Sequence, residues 1–207
     1  MKIYLVRHGE TTGNLNDFYQ TAETPLTKTG IDQAKNVANR LKNIKIDIIY
    51  SSTHLRAKNT AEIISKQINA KTELWESLME IRRPKEVRGK SGSDPEAEKI
   101  MQQVISKFAD RTWKYSDEEN FYDLKERADS VLSHLLTKHQ GQTVVCVSHG
   151  TFIKFLVATV LLGDQINPEN FNLLRHNLWA QNTGVSIIEY REGKGPRLLS
   201  WNDTSHL

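Results

Sequence analysis

Three short polar clusters hold the residue types that could do chemistry. They are Arg7-His8-Gly9-Glu10-Thr11-Thr12-Gly13-Asn14, Ser51-Ser52-Thr53-His54-Leu55-Arg56-Ala57, and Ser148-His149-Gly150-Thr151. Two His-Gly steps and two arginines make a coherent set for handling a phosphoryl group. Guanidinium forks match phosphate oxygens better than ammonium groups do, and Arg7 and Arg56 can supply them. Asn14 can add an amide donor and His149 an imidazole N–H. A neutral imidazole can attack phosphorus, and Gly9 lets the main chain approach closely beside His8. Neighbouring arginines would lower the His8 pKa and keep the ring neutral. The leaving oxygen needs an acid, and Glu80 in Leu78-Met79-Glu80-Ile81 is the candidate. Taken singly, each of these residues is more often a structural hydrogen-bonding group or a turn former. Their joint occurrence shifts the odds.

Each cluster follows an apolar run that reads as a strand: Lys2 to Val6, Ile46 to Tyr50 and Thr143 to Val147. A further strand near Thr72–Leu74 precedes Glu80. Thr27 reads as the N-cap of a helix with Ile31, Ala34, Val37, Ala38 and Leu41 on one face. Leu55 to Ile68 reads as a second helix, with Ala61, Ile64 and Ile68 inward. Further helices are expected at about 95–110, at 121–139 and from Phe152 to Leu162. Val185 to Tyr190 and Arg197 to Trp201 read as a closing pair of strands. Alternating strands and helices predict the α/β class, a mostly parallel central sheet with helices on both faces. Ligands of such sheets bind beyond the carboxyl ends of the strands, where the three clusters would meet. A single domain, 1–207, is expected. Residues 84–98, rich in Pro, Gly, Ser and charge, read as mobile within an insertion at about 81–120 that would form a lid over the site.

Composition narrows the function classes. The chain has 207 residues, 38% hydrophobic and 26% charged, so it can bury one substantial core. A net charge of +3 leans weakly toward anionic ligands and falls short of a nucleic-acid signature. No apolar run approaches the roughly 20 residues of a spanning helix, so no membrane partner is expected. The N-terminus reaches charge too early for a signal peptide, and the one cysteine, Cys146, can form no internal disulfide. A reducing cytoplasm is the expected location. The seven histidines do not fall into zinc spacing, so no metal is expected. Gly89-Lys90-Ser91 lacks the upstream glycine of a P-loop.

Leu5-Val6-Arg7-His8-Gly9-Glu10-Thr11 followed by Asn14 resembles the signature of the histidine phosphatase superfamily, which includes cofactor-dependent phosphoglycerate mutases. The resemblance continues in family order through Ser51-Ser52, Leu55-Arg56-Ala57, Thr60-Ala61, Leu78 with Glu80, and Val147-Ser148-His149-Gly150. It implies a phosphoglycerate mutase-like three-layer α/β/α sandwich. It also implies His8 as the phosphorylated nucleophile, with Arg7, Arg56 and His149 as the phosphate pocket. Asn14 would give a supporting contact and Glu80 the acid/base group. For phosphatase members it implies no metal and no dissociable cofactor.

Other residues divide between substrate contact and ordinary surface. Arg82 and Arg83, directly after Glu80, and Thr151, beside His149, are expected to contact substrate. Gln20 falls where family members often line the pocket, although this chain has Gln20-Thr21 where Gln-Gly is common. His134 and His139 read as solvated, Cys146 as a packing residue, His54 as unassigned, and the tail 201–207 as a frayed terminus. Three functions are compatible: a metal-independent, histidine acid phosphatase-type hydrolase of small phosphorylated metabolites, a mutase, or a non-catalytic phospho-ligand module. The complete residue set disfavours the third. Ile81-Arg82-Arg83-Pro84-Lys85-Glu86, in place of a Tyr-Gly-containing stretch, favours the hydrolase over the mutase.

Overall fold

The computed structural model describes residues 1–207. Six strands form one sheet: β1 (Lys2–Arg7), β2 (Ile48–Ser51), β3 (Thr72–Leu74), β4 (Thr143–Ser148), β5 (Val185–Arg191) and β6 (Gly195–Asp203). Their order is β3-β2-β4-β1-β5-β6. The first four are mutually parallel, whereas β5 runs antiparallel to β1 and β6 antiparallel to β5. The helices are α1 (Thr12–Leu15), α2 (Lys28–Leu41), α3 (Leu55–Ile68), α4 (Pro95–Ser106), α5 (Phe121–Lys138), α6 (Gly150–Leu162) and α7 (Pro168–Asn177).

Strand alternation sorts the core into two layers. Tyr4 and Val6 of β1 pack with Val37, Ala38 and Leu41 of α2 and with Ala57, Ala61 and Ile64 of α3. Ile3 and Leu5 face the opposite way, onto Leu124, Val131 and Leu135 of α5 and Phe152, Phe155 and Leu156 of α6. The expected three-layer sandwich is the one observed. Cys146 of β4 is fully buried in the second layer, and burial pushes its thiol pKa up to about 12.

The helix α7 lies where the sequence reading placed no element. Its signals are Asn167 as N-cap, accepting from Asn170 N–H, and Pro168 in the first turn. It docks through the buried Phe171, whose ring centroid stands 4.5 Å from that of Phe155. Burying one such ring contributes roughly 1.5–3 kcal/mol.

Four expectations are corrected. Ile31 is exposed on α2, because Gly30 takes the inward position: a Cβ there would stand 2.1 Å from the Glu10 carbonyl oxygen. His139 is buried rather than solvated, between the Tyr50 hydroxyl at 2.9 Å and Gln142 Oε1 at 2.6 Å, while His134 packs on Trp75. The stretch 84–98, read as mobile, is fastened by main-chain bonds: Gly89 N–H to Tyr19 O, Tyr19 N–H to Lys90 O, and Gly92 N–H to Asp17 O. The tail is not frayed either. Arg40 pairs with Asp203 and bonds His206 Nδ1, and His206 Nε2 reaches Thr183 Oγ1.

Between Ile81 and Asn120 the chain forms a small packed unit. Val87, Ala97, Ile100, Met101 and Val104 make its core, with Tyr19 and Trp113 against it. No helix is long and apolar enough to cross a membrane.

Candidate active site

Parallel pairing of β2, β4 and β1 brings their carboxyl ends to one edge. The register sets Arg7 beside Ser148 and Ser51 beside Val147. Main-chain bonds carry this alignment past the strand ends: His8 N–H donates to Ser148 O, and Ser52 N–H to Val147 O, both at 3.0 Å. Gly9 then presses on α2, where the Gly30 carbonyl oxygen lies 2.4 Å from any added Cβ. Only glycine fits that approach.

The hydrogen bonds of His8 define its proton. Nδ1 lies 2.7 Å from the Gly9 carbonyl, which can only accept, so Nδ1 carries the hydrogen. Nε2 receives the Arg56 Nε–H at 3.3 Å, and a guanidinium can only donate. The ring is therefore neutral, with its lone pair on Nε2. Burial, then the charges of Arg56 and Arg7, hold the His8 pKa well below its ordinary value, outweighing the Gly9 carbonyl.

Arg56 projects from the first turn of α3. Two of its four other N–H donors go to Thr21 O at 2.8 Å and His54 Nδ1 at 3.1 Å, which leaves two for a ligand. Burial lowers its pKa to about 10, so it stays charged at neutral pH. His149, the N-cap of α6, is fully buried, with its ring 5.1 Å from that of His8. Ser52 Oγ accepts from His54 N–H and stands 2.8 Å from His149 Nε2. If that hydroxyl gives its proton to Nε2, the hydrogen of the ring sits on Nδ1.

Three buried side-chain polar atoms in the chain have no partner: Arg7 Nε, His149 Nδ1 and Thr72 Oγ1. Two of the three belong to this pocket. Buried donors are rarely left unbonded, because each costs about 1–3 kcal/mol. A pocket holding two of them, one on the Arg7 guanidinium itself, beside the guanidinium of Arg56 suits an oxyanion. Arg7 is otherwise anchored through Nη1 to the Ala180 carbonyl.

Glu80 lies at the start of α6. Its Oε1 accepts from Ile81 N–H (2.9 Å) and Phe152 N–H (3.0 Å), and Oε2 from Thr151 N–H (3.1 Å). It does for α6 what a capping side chain does, since His149 makes no such bond. Arg127 holds the approach to Glu80 by donating to the Ser77 and Met79 carbonyls.

The expected contact residues divide. Asn14 Oδ1 accepts from Thr11 N–H (3.1 Å) and from Asn182 (3.1 Å), leaving its own amide hydrogens free of protein partners. Gln20 packs over Gly13, and its Oε1 lies 2.9 Å from Thr11 Oγ1. Thr151 is half-buried and meets Glu80 through its main chain. Arg83 is half-buried and Arg82 exposed; both line a cleft shared with Arg175, and Arg82 also borders a groove that holds Asp123.

Two neighbours of the pocket had no role in the sequence reading. Asn182 donates to the His8 carbonyl at 2.9 Å. His54, left unassigned, stacks its ring 5.0 Å from His149, and burial followed by Arg56 lowers its pKa to about 4. The signal for Asn182 is positional: β5 is antiparallel to β1, so residues just before β5 lie at the same edge. No group of three or more His, Cys, Asp or Glu side chains is arranged to hold a metal ion.

The family profile described as histidine phosphatase superfamily (branch 1) matches residues 3–204. The chain belongs to the histidine phosphatase superfamily. Among its relatives in this superfamily is a probable phosphoglycerate mutase, GpmB, of Escherichia fergusonii. It is 32% identical over 213 residues, covering 100% of this chain and 95% of that protein. A mutant phosphoserine phosphatase of Entamoeba histolytica, solved with phosphoserine, is 30% identical with a TM-score of 0.82, covering 100% and 98% of the two chains. Phosphoserine phosphatase of the same organism with 3-phosphoglyceric acid is 29% identical, with a TM-score of 0.81 and coverage of 99% and 98%.

Proposed function

We propose that this superfamily member is a metal-independent phosphomonoesterase that hydrolyses small phosphorylated metabolites through a phosphohistidine on His8. The observation that carries this reading is the neutral His8 ring, its Nδ1–H fixed by Gly9 and its Nε2 lone pair set against Arg56. In the first step Nε2 attacks phosphorus, the P–O ester bond breaks, and Glu80 gives the leaving oxygen its proton. Arg7 Nε, Arg56, the Asn14 amide and His149 Nδ1–H donate to the non-bridging oxygens, which gather charge as the bond breaks. In the second step Glu80 takes a proton from water, the water oxygen attacks phosphorus, and the P–N bond breaks to restore His8. The segment 81–120 would close the substrate side of the pocket as a lid.

The relatives named as mutase favour a second reading, in which the phosphoryl group returns to another hydroxyl instead of passing to water. One experiment tests both. The protein is incubated without metal with a chromogenic phosphate ester, and separately with 3-phosphoglycerate plus its bisphosphate. Ester cleavage with acid-labile, base-stable label on His8, absent in His8→Ala, supports the hydrolase. Interconversion of phosphoglycerates without release of phosphate supports the mutase. Full ester cleavage by His8→Ala would sink both.

A further inference from the structure

Beside the phosphoryl pocket three basic side chains lie together; the carboxylate that acts on Lys154 is Glu80, itself held by the first N–H groups of α6. Lys154 of α6 donates its Nζ to the Arg175 carbonyl in the last turn of α7 at 2.9 Å. Arg175 spends one guanidinium N–H on Asn172 Oδ1 at 3.1 Å. Arg83, after Glu80, shares with Arg175 a cleft of about 190 Å³ lined by Ile81, Val104 and Phe108, which the exposed Arg82 also borders. None of the three takes part in any of the ten ion pairs of the chain. The carboxylates on this cleft are engaged or turned outward: Glu119 is held by Arg127 through both oxygens, and Glu169 is exposed at the start of α7.

We infer that Lys154, Arg175 and Arg83 form a second anion subsite, so that the preferred substrate carries an anionic group on its leaving-group side in addition to the transferred phosphoryl. This rests on the reading of the His8 pocket as the phosphoester site. Half-buried like charges repel, and each loses hydration. The directions agree: burial, then Arg7 and Arg175, lower the Lys154 pKa against the pull of Glu80, and burial, then Arg83, lower that of Arg175. A bound anion relieves both costs and takes up the unused N–H donors. Lys154 stands one turn along α6 from Gly150, where an added Cβ would lie 3.4 Å from Arg7 Nε, which puts the two subsites along one helix face. Ile81, Val104 and Phe108 offer apolar contact for the linking carbons. A carboxylate and a phosphate share the chemistry required.

Three esters test this: 3-phosphoglycerate, glycerol 3-phosphate, which lacks the carboxylate, and 1,3-propanediol bisphosphate, which carries a second phosphate. The wild-type protein is expected to prefer one of the anionic esters over glycerol 3-phosphate by about 10–100-fold in kcat/KM, the worth of one or two charge-assisted hydrogen bonds. Lys154→Met and Arg175→Met should bring that ratio toward one, and Lys154→Arg should retain most of it. Equal rates on all three esters, or variants that slow every ester in proportion, overturn the inference. A binding arm keeps it separate from the proposed activity. His8→Ala is titrated calorimetrically with 3-phosphonopropionate and with ethylphosphonate. Tighter binding of the carboxylate analogue, lost in Lys154→Met, supports the subsite even if no ester turns over. Equal affinities overturn it even if all do.

Discussion

Asn182 holds His8 by its main chain: the Asn182 amide donates to the His8 carbonyl at 2.9 Å and to Asn14 Oδ1 at 3.1 Å. One side chain thus ties the residue that carries the lone pair to a donor of the pocket. Asn182→Ala would leave the His8 carbonyl without this partner and free the Asn14 amide to rotate. We expect a stability loss of about 1 kcal/mol and a kcat reduced by about tenfold, the rate effect being larger than the loss of fold explains. Rapid-quench measurement of phosphoenzyme formation checks it. A kcat within twofold of wild type would show that His8 needs no such support.

Glu80 caps α6 and, in the proposed reaction, moves a proton, and Glu80→Gln separates the two. The amide keeps one acceptor for the α6 N–H groups, so the expected stability loss is within about 0.5–2 kcal/mol, the range of a lost N-cap. The rate for alkyl phosphates should fall by about 10²–10⁴, because an alkoxide-like leaving group needs the proton. Phosphorylation by an aryl ester should suffer less, since its leaving group needs little help. Burst kinetics that show equal slowing for both ester types would assign the acid elsewhere, with Glu86 tested next.

Three histidines in and around the pocket make stability depend on pH. His8 and His149 are held well below the ordinary histidine value by burial, then Arg56, and His54 is lowered to about 4. Unfolded, each takes up a proton near pH 6.5. Below that pH the unfolded chain binds more protons than the folded one, so stability falls as pH drops toward the folded values and is fully present above 6.5. Urea midpoints should decline between pH 7 and 5, and His54→Gln should make the decline shallower. The acid limb of kcat/KM set by His8 should likewise lie below pH 6.5. A flat midpoint across that range would contradict the burial of neutral rings.

Arg40 is the anchor of the tail, bonding Asp203, Ser205 and His206, and His206 reaches Thr183 next to Asn182. Arg40→Met should lower stability by about 1 kcal/mol, since the pair with Asp203 is partly solvated and worth little alone. Faster amide exchange at 180–184 is the specific readout. Exchange unchanged there would mean that the tail only covers the surface.

Much of this arrangement was legible in the sequence because it follows strand ends. Arg7-His8 and Ser148-His149 come directly after apolar runs, Arg56 a few residues after another, and parallel pairing necessarily gathers such residues. Glu80 was legible through the strand before it. What escaped depends on contacts distant in sequence. Asn182 matters through a carbonyl 174 residues away. The inward turn of Gly30 depends on the Glu10 main chain, and the order of 84–98 depends on Asp17 and Tyr19. Composition describes a segment alone, so polar residues that read as mobile can be held by partners no local pattern reveals. α7 had local signals in Asn167-Pro168, but its polar surface and single buried aromatic give little helical periodicity.

The proposed nucleophile is a nitrogen, while the single thiol of the chain is sealed in the central sheet at Cys146. Alkylating agents and peroxide act on accessible thiolate, and a thiol with its pKa near 12 and no exposure offers almost none. Catalysis of this kind would therefore continue under oxidant doses that silence enzymes working through sulfur. The same burial makes Cys146 a built-in reporter. It should react with a disulfide reagent only when β4 leaves its neighbours β1 and β2, so the labelling rate in native buffer counts the opening events of the core itself.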